Sequence, residues 1–392
     1  MEARQSNFEV LRIISMVLIV MSHCDDIFGL ANLYNATVGI NKIITDWFDI
    51  GGQIGVGCFV LISGYFMVEK HITVKKILRL VGEVWFYSIG IWAIWSICEL
   101  YKHNMNWIDC LKEAKYAFFP ILTSHYWFVT AYLILMILSP FFNKLVFSLN
   151  QTEYKYLLIS VTMIFVILEG GFPNVFPGMS DGRLMPVFIM YLIAGYIKRF
   201  RKAKKNNARK HWMVAFVFYL LLFASFYFIT FWGIKSNNQF LLADRYFYRE
   251  LNSPLTVVIC IEMFIAIIET DISYNRIINI IAGSTFGVYL IHSNRWMVGI
   301  LSKLFPIYEE KRSLYIFLYS VLAFLIIYAF CTIIDLIRIK TFGKLWDRFL
   351  NKYLNTIQTK VLSTIKTMSV KCKRALITFY EGNPYEGNSK KY

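Results

Sequence analysis

The 392-residue sequence predicts an all-α, polytopic membrane fold, and three features carry that expectation. The chain is 57% hydrophobic and 18% aromatic but only 17% charged, with a mean hydropathy of +0.50. Unbroken apolar runs of bilayer length recur from Phe8 to Asp335, where a soluble domain would show stripes or alternation. The formal charge of +16 gathers between and after those runs, so topology explains it more simply than nucleic-acid binding does. Disordered, fibrous and secreted disulfide-rich classes are excluded.

A transmembrane helix needs roughly 17 to 25 apolar residues. On that measure about ten spans are expected, near 8–24, 51–68, 77–98, 127–147, 155–169, 184–198, 212–232, 254–269, 277–293 and 313–335. Helix is required because lipid offers backbone groups no partner, and the runs lack the alternation of a barrel strand. The first run meets His23-Cys24-Asp25-Asp26 with no small-residue cleavage site. It is expected to be kept as a signal anchor, with the mature chain starting near Met1.

Lysine and arginine orient the spans. The loop 25–50 holds four aspartates against Lys42 and reads as outside. Lys70, Lys75, Lys76 and Arg79, then the basic stretch from Lys198 to Lys210, read as inside. An even span count then returns both termini to the cytoplasm. Two regions are expected: a membrane domain over 1–338 and a basic tail over 339–392, amphipathic in part and disordered from Glu381. Seven cysteines show no CxxC and no cysteine–histidine ligand spacing, so neither zinc nor structural bridges are expected.

Ionisable side chains inside a bilayer are costly and become functional candidates. Arg12 and His23 lie eleven residues apart. That is close to three helical turns, so they share one face about 16 Å apart along the axis. Asp26 falls where it would orient the imidazole. The plainer reading makes Arg12 a snorkelling anchor and His23 an interfacial residue. Five glycines between 51 and 64 suit close helix packing better than phosphate binding, since no GxxxxGK[ST] accompanies them. Lys76 and Arg79, three apart at the inner mouth of the third span, suit phosphate groups or ordinary anchoring. Toward the outer boundary lie His125, Trp127, Tyr289 and His292, with Thr285, Tyr289 and His292 on one face.

In order, Asn7-Phe8-Glu9-Val10-Leu11-Arg12 leading to His23, Gly55-Val56-Gly57-Cys58-Phe59 running to Phe66, Trp127-Phe128, Leu138-Ser139-Pro140 and Ser284-Thr285-Phe286-Gly287-Val288-Tyr289-Leu290-Ile291-His292 resemble the motifs of the membrane acyltransferase-3 family of bacterial O-acyltransferases. The resemblance covers roughly residues 7 to 335. Cys24 stands where many members carry a second histidine, and Lys76-Ile77-Leu78-Arg79 where the family has Arg-x-x-Arg.

The resemblance implies a multi-pass protein of the bacterial cytoplasmic (inner) membrane. It would transfer an acyl group, acetyl or succinyl, from cytoplasmic acyl-CoA to a hydroxyl of a surface polysaccharide or lipid-linked glycan. Acyl-CoA, acetyl-CoA foremost, is then a donor substrate rather than a resident cofactor, and the partners are membrane lipid and glycan, not nucleic acid. Lys76 and Arg79 are expected to attract the CoA phosphates and Arg12 to line the passage. His23 would act as base or as acyl acceptor, while His125, Tyr289 and His292 would bind the acceptor or polarise the carbonyl and Trp127 would border the acceptor. A transporter or flippase for lipid-linked glycan would also need charged residues facing a cavity. A scaffold without chemistry is the third possibility.

Overall fold

The computed structural model describes residues 5–30, 40–70, 72–172, 183–202, 207–244, 247–307 and 315–354. Every element of regular structure among them is helical. In chain order these are α1 (Ser6–Ile27), α2 (Ile40–Asp49), α3 (Gly52–Met67), α4 (Val74–Tyr101), α5 (Trp107–Phe118), α6 (Trp127–Ser148) and α7 (Gln151–Thr162). There follow α8 (Leu184–Phe200), α9 (Ala208–Lys235), α10 (Gln239–Asp244), α11 (Pro254–Ile268), α12 (Arg276–Gly283), α13 (Thr285–His292), α14 (Arg295–Leu304) and α15 (Ile316–Arg338).

Eight stretches are long and apolar enough to cross a membrane. The other two expected spans fall on α8, which has 17 residues, and on the α12–α13 pair. The run 277–293 is therefore not one continuous helix. It breaks at Ser284, where the hydroxyls of Ser284 and Thr285 donate to the carbonyls of Ile281 and Ala282 at 2.8 and 2.9 Å. Such side-chain donors compete with the helical ladder and let a membrane helix stop without exposing bare carbonyls. Pro140 inside α6 poses the same problem, because it gives the Met136 carbonyl no amide donor. The neighbouring Ser139 hydroxyl donates to that carbonyl at 2.8 Å.

α3 is the packing centre: the apolar stretch Thr45–Met67 that contains it is 72% buried, against 22% for α9 and 28% for the stretch Ile316–Leu354 that contains α15. The difference assigns α3 to the interior and α9 and α15 to the rim, where Phe216, Phe228, Leu325 and Ile333 face outward. Two α3 glycines explain how it fits. A side chain at Gly55 would strike the Ser15 carbonyl and the Ile19 side chain of α1, and one at Gly57 would meet Cys260 of α11 and Met190 of α8. Small residues let helix backbones approach this closely where lipid supplies no hydrophobic drive.

The short helices α2, α5, α10 and α14 were not anticipated from the sequence. α2 lies within the expected outer loop 25–50, and it carries Asp49 to the start of α3. At the basic end of the bundle, Lys198 of α8 pairs with Glu69 after α3 at 3.1 Å, and Arg201 pairs with Glu269 after α11 at 2.6 Å. Asn7 of α1 reaches the carbonyl of Ile267 at 3.0 Å. These contacts tie the start of α1 to the ends of α3, α8 and α11.

The helical path does not end at Arg338. It continues through a π-helical turn, Ile339–Gly343, and on to Leu354. There Trp346 donates to the Leu78 carbonyl of α4 at 3.1 Å, and Asp347 pairs with Arg79 at 2.7 Å. The remainder of the basic tail, 355–392, lies outside the described residues, as does the side chain of Asp26.

Replacing Gly55 with leucine is expected to destabilise the bundle by about 1–3 kcal/mol, the usual cost of overpacking. Gly90→Leu is the control, because nothing lies within 4 Å of a side chain placed there. Thermal midpoints of detergent-solubilised protein should fall for the first variant and hold for the second.

Candidate active site

Two cavities are stacked along the same set of helices. The first, of about 340 Å³, is lined by Arg12 of α1, Ser63 of α3, Lys76, Arg79 and Glu83 of α4 and Thr285 of α13. The second, of about 160 Å³, is lined by His23 of α1, Asp49 of α2, Gln53 of α3, Trp127 of α6, Arg249 and Tyr289 of α13. The single face of α1 that carries Arg12 and His23 thus serves both chambers. The break at Ser284 puts Gly283 and Thr285 on the first cavity, while the helix beyond it brings Tyr289 to the second.

The first cavity is cationic. Lys76 and Arg79 project from the first turns of α4, whose start is capped by Thr73, the side chain accepting from the Lys76 amide. Arg12 pairs with Glu9 one turn earlier on α1, and Glu83 pairs with Arg338 at 2.7 Å. Arg338 also bonds Asp335 of the same helix at 2.9 Å, and Asp335 accepts from Tyr87 at 2.7 Å. Intramembrane charges are tolerated when paired in this way. The network locks α4 to α15, and through them it fixes the direction of Lys76 and Arg79.

The second cavity holds a histidine pair. His23 Nδ1 lies 2.9 Å from His292 Nε2, and His292 Nδ1 lies 2.7 Å from the Val288 carbonyl. A carbonyl only accepts, so Nδ1 of His292 carries the proton and its neutral ring has a bare Nε2. That nitrogen accepts from Nδ1–H of His23. The lone pair of His23 is then left on Nε2, in a residue that lines the cavity. Beside it Arg249 and Asp49 form an ion pair, and Ser22 donates to Asp49 at 3.2 Å. The Oε1 of Gln53 is buried with no hydrogen-bond partner, which leaves an acceptor for a ligand donor.

The structure thus brings together Arg12, Lys76 and Arg79 in one chamber, and His23, Trp127, Tyr289 and His292 in or beside the other. His125 does not join them. It stands before α6, 3.5 Å from the Arg295 amide and 5.5 Å from the Trp296 ring, and lines neither cavity. The Asp49–Arg249 pair was missed in the sequence. The two residues lie 200 positions apart, and nothing in the local pattern joins them.

A family model described as an acyltransferase domain, of the acyltransferase-3 family, matches residues 5–332. No curated protein and no solved structure matches the chain.

Burial, reinforced by the Arg295 cation, pushes the His125 imidazole down from 6.5 to about 4. Between those values the unfolded chain binds a proton at this residue that the folded chain refuses, so stability falls as pH falls through that window. In His125→Gln the drop in thermal midpoint from pH 6.5 to pH 4.5 should be shallower than in the parent. An equally steep drop would show that His125 is already charged when folded.

Proposed function

Because the chain belongs to the acyltransferase-3 family, we propose that it carries an acyl group, acetyl foremost, from cytoplasmic acyl-CoA to a hydroxyl of a surface glycan across the bacterial inner membrane. The observation that supports this reading is the pair of stacked cavities, one cationic and one built around a histidine with a free nitrogen, joined by a common face of α1. Family membership favours acyl transfer over transport of a lipid-linked glycan.

In this reading the count is ten spans, with α8 and α12–α13 crossing as well. Both termini then face the cytoplasm, and the contacts among the ends of α3, α8 and α11 and the start of α1 support that arrangement. The first cavity opens inward. Lys76 and Arg79 receive the CoA phosphates as charge-assisted partners, and Arg79 exchanges Asp347 for them. Lys76 offers a point charge where arginine would offer a fork. The pantetheine arm carries the thioester past Arg12 toward the second cavity.

There the acceptor hydroxyl meets His23. Nε2 takes the hydroxyl proton as the oxygen attacks the thioester carbonyl carbon. The carbon–sulfur bond breaks, and the CoA sulfur leaves with the proton returned from the imidazolium. His292 holds the tautomer that leaves Nε2 available, while Arg249 supplies positive charge near the developing oxyanion. Trp127, Tyr289 and Gln53 border the space for the sugar. His125 is placed outside this chamber and would contribute only at its rim. No resident cofactor enters the scheme, and membrane lipid and glycan are the partners.

Labelled acetyl-CoA supplied to inverted membrane vesicles should pass its label to glycan. His23→Ala at matched abundance should lower the rate by about 10²- to 10⁴-fold, the usual contribution of a positioned base. Full transfer by His23→Ala and His23→Gln would sink the mechanism. Lys76→Ala and Arg79→Ala should each raise the KM for acyl-CoA by about tenfold or more, the loss of a hydrogen bond to a charged group, with a smaller change in kcat.

A further inference from the structure

The two cavities meet at one side chain. Among the described residues that line them, Phe128 is the sole residue common to both. Its ring is buried, at 8% exposure. It packs at 5.9 Å from both Tyr289, which borders the histidine cavity, and Tyr132, which borders the cationic one. The polar groups of the two chambers therefore stand on opposite sides of an apolar aromatic wall.

The backbone under that wall is anchored by hydrogen bonds, while the ring is held by packing alone. Tyr126, two residues earlier, donates to the Leu290 carbonyl at 3.0 Å and accepts from Asn294 at 2.7 Å, which pins the start of α6 to α13 and α14. Phe128 is the second residue of α6. Its side chain makes only apolar and aromatic contacts, so turning it breaks no hydrogen bond. A ring held only by packing over a pinned backbone can move without moving the helix, as a gate requires.

We propose that Phe128 is the partition between the donor and acceptor chambers, and that its ring sets the size of acyl group that passes and keeps water on the acceptor side from the thioester. The selectivity rests on the acyl-transfer reading above; the partition itself does not. For transfer, the ring must swing aside far enough for an acyl group to reach His23, and it must close behind it. A short acyl group clears the gap that one phenyl ring vacates. A longer one either stays wedged in the gap or fills the 160 Å³ chamber that the acceptor hydroxyl also needs. With a smaller residue at 128 the gap never closes. Water then attacks the thioester carbon, the carbon–sulfur bond breaks, and CoA leaves as the thiol with the proton that water gives up.

The test uses the full-length protein in vesicles, with Phe128→Ala and the milder Phe128→Leu, which keeps an apolar core of similar bulk. Release of CoA from acetyl-CoA without glycan should rise severalfold over the parent, more for alanine than for leucine. The ratio of butyryl to acetyl transfer should rise in the same order. If a folded, active Phe128→Leu and Phe128→Ala both keep the parental hydrolysis and the parental ratio, the inference is overturned. Access supplies an independent readout. A cysteine placed on the donor side by Ser63→Cys should react with an impermeant maleimide added from the acceptor side only when Phe128 is shortened, and unchanged labelling overturns the partition. If the parent protein transfers no acyl group at all, the functional reading fails, and the labelling experiment still decides whether Phe128 divides the chambers.

Discussion

The contact between α1 and α3 sets the dimensions of everything that follows. Gly55 lies where any side chain would press on the Ser15 carbonyl and Ile19, so the two backbones run at a separation that a larger residue would not allow. Ser15 lies one turn beyond Arg12 and about two turns before His23. The point of closest approach therefore falls between the two functional ends of α1, and the helices leave room for a chamber on either side of it. The glycines of α3 act here through packing. They place α1 at the depth where its cation faces one chamber and its imidazole the other.

Charge is distributed by the same logic. A bilayer tolerates ionised groups only where they are paired or reach water, and the described chain pairs them between helices, both beside the chambers and at the basic end of the bundle. Glu83, Arg338, Asp335 and Tyr87 form one continuous network between α4 and α15. Breaking one member would leave another buried and uncompensated, which costs far more than the pair contributes. The network therefore specifies how α4 meets α15, and α4 in turn presents Lys76 and Arg79. Asp347, carried by the helical extension past Arg338, already occupies Arg79. On the proposed reading, a phosphate that approaches this arginine meets a guanidinium already shared with a carboxylate of the protein's own tail, which couples donor binding to the seating of that tail.

The features legible in the sequence were those that local periodicity encodes. The eleven-residue spacing of Arg12 and His23 placed them on one face of one helix because a helix repeats every few residues, and α1 runs unbroken through both. The same holds for Tyr289 and His292 on α13. The hydrogen bond between His23 and His292 joins residues 269 positions apart, and no periodicity reports it; the sequence showed only that both fall near the same boundary. The Asp49–Arg249 pair was hidden for the same reason. The break at Ser284 escaped because an apolar run interrupted by an adjacent serine and threonine reads as a continuous span, although those hydroxyls are what satisfy the carbonyls at the interruption.

On the proposed reaction, the histidine pair also gives the arginine of the second chamber a part. In a hydrolase triad the outermost group is a carboxylate, which orients the histidine and offsets the charge of the imidazolium that forms. Here the outermost group is the Val288 carbonyl, which orients His292 as firmly but brings no negative charge. On the proposed reaction, positive charge on His23 and negative charge on the carbonyl oxygen develop together, so stabilisation has to come from elsewhere in the chamber. Arg249 and Asp49 are both present and paired. On the proposed reaction such a pair offers the guanidinium to the developing oxyanion, while the carboxylate keeps it paired in the resting protein. A fixed dipole of this kind needs no reorganisation at the moment of reaction, and it stands on α2 and the turn before α11, outside the helices that form the two chambers' common wall.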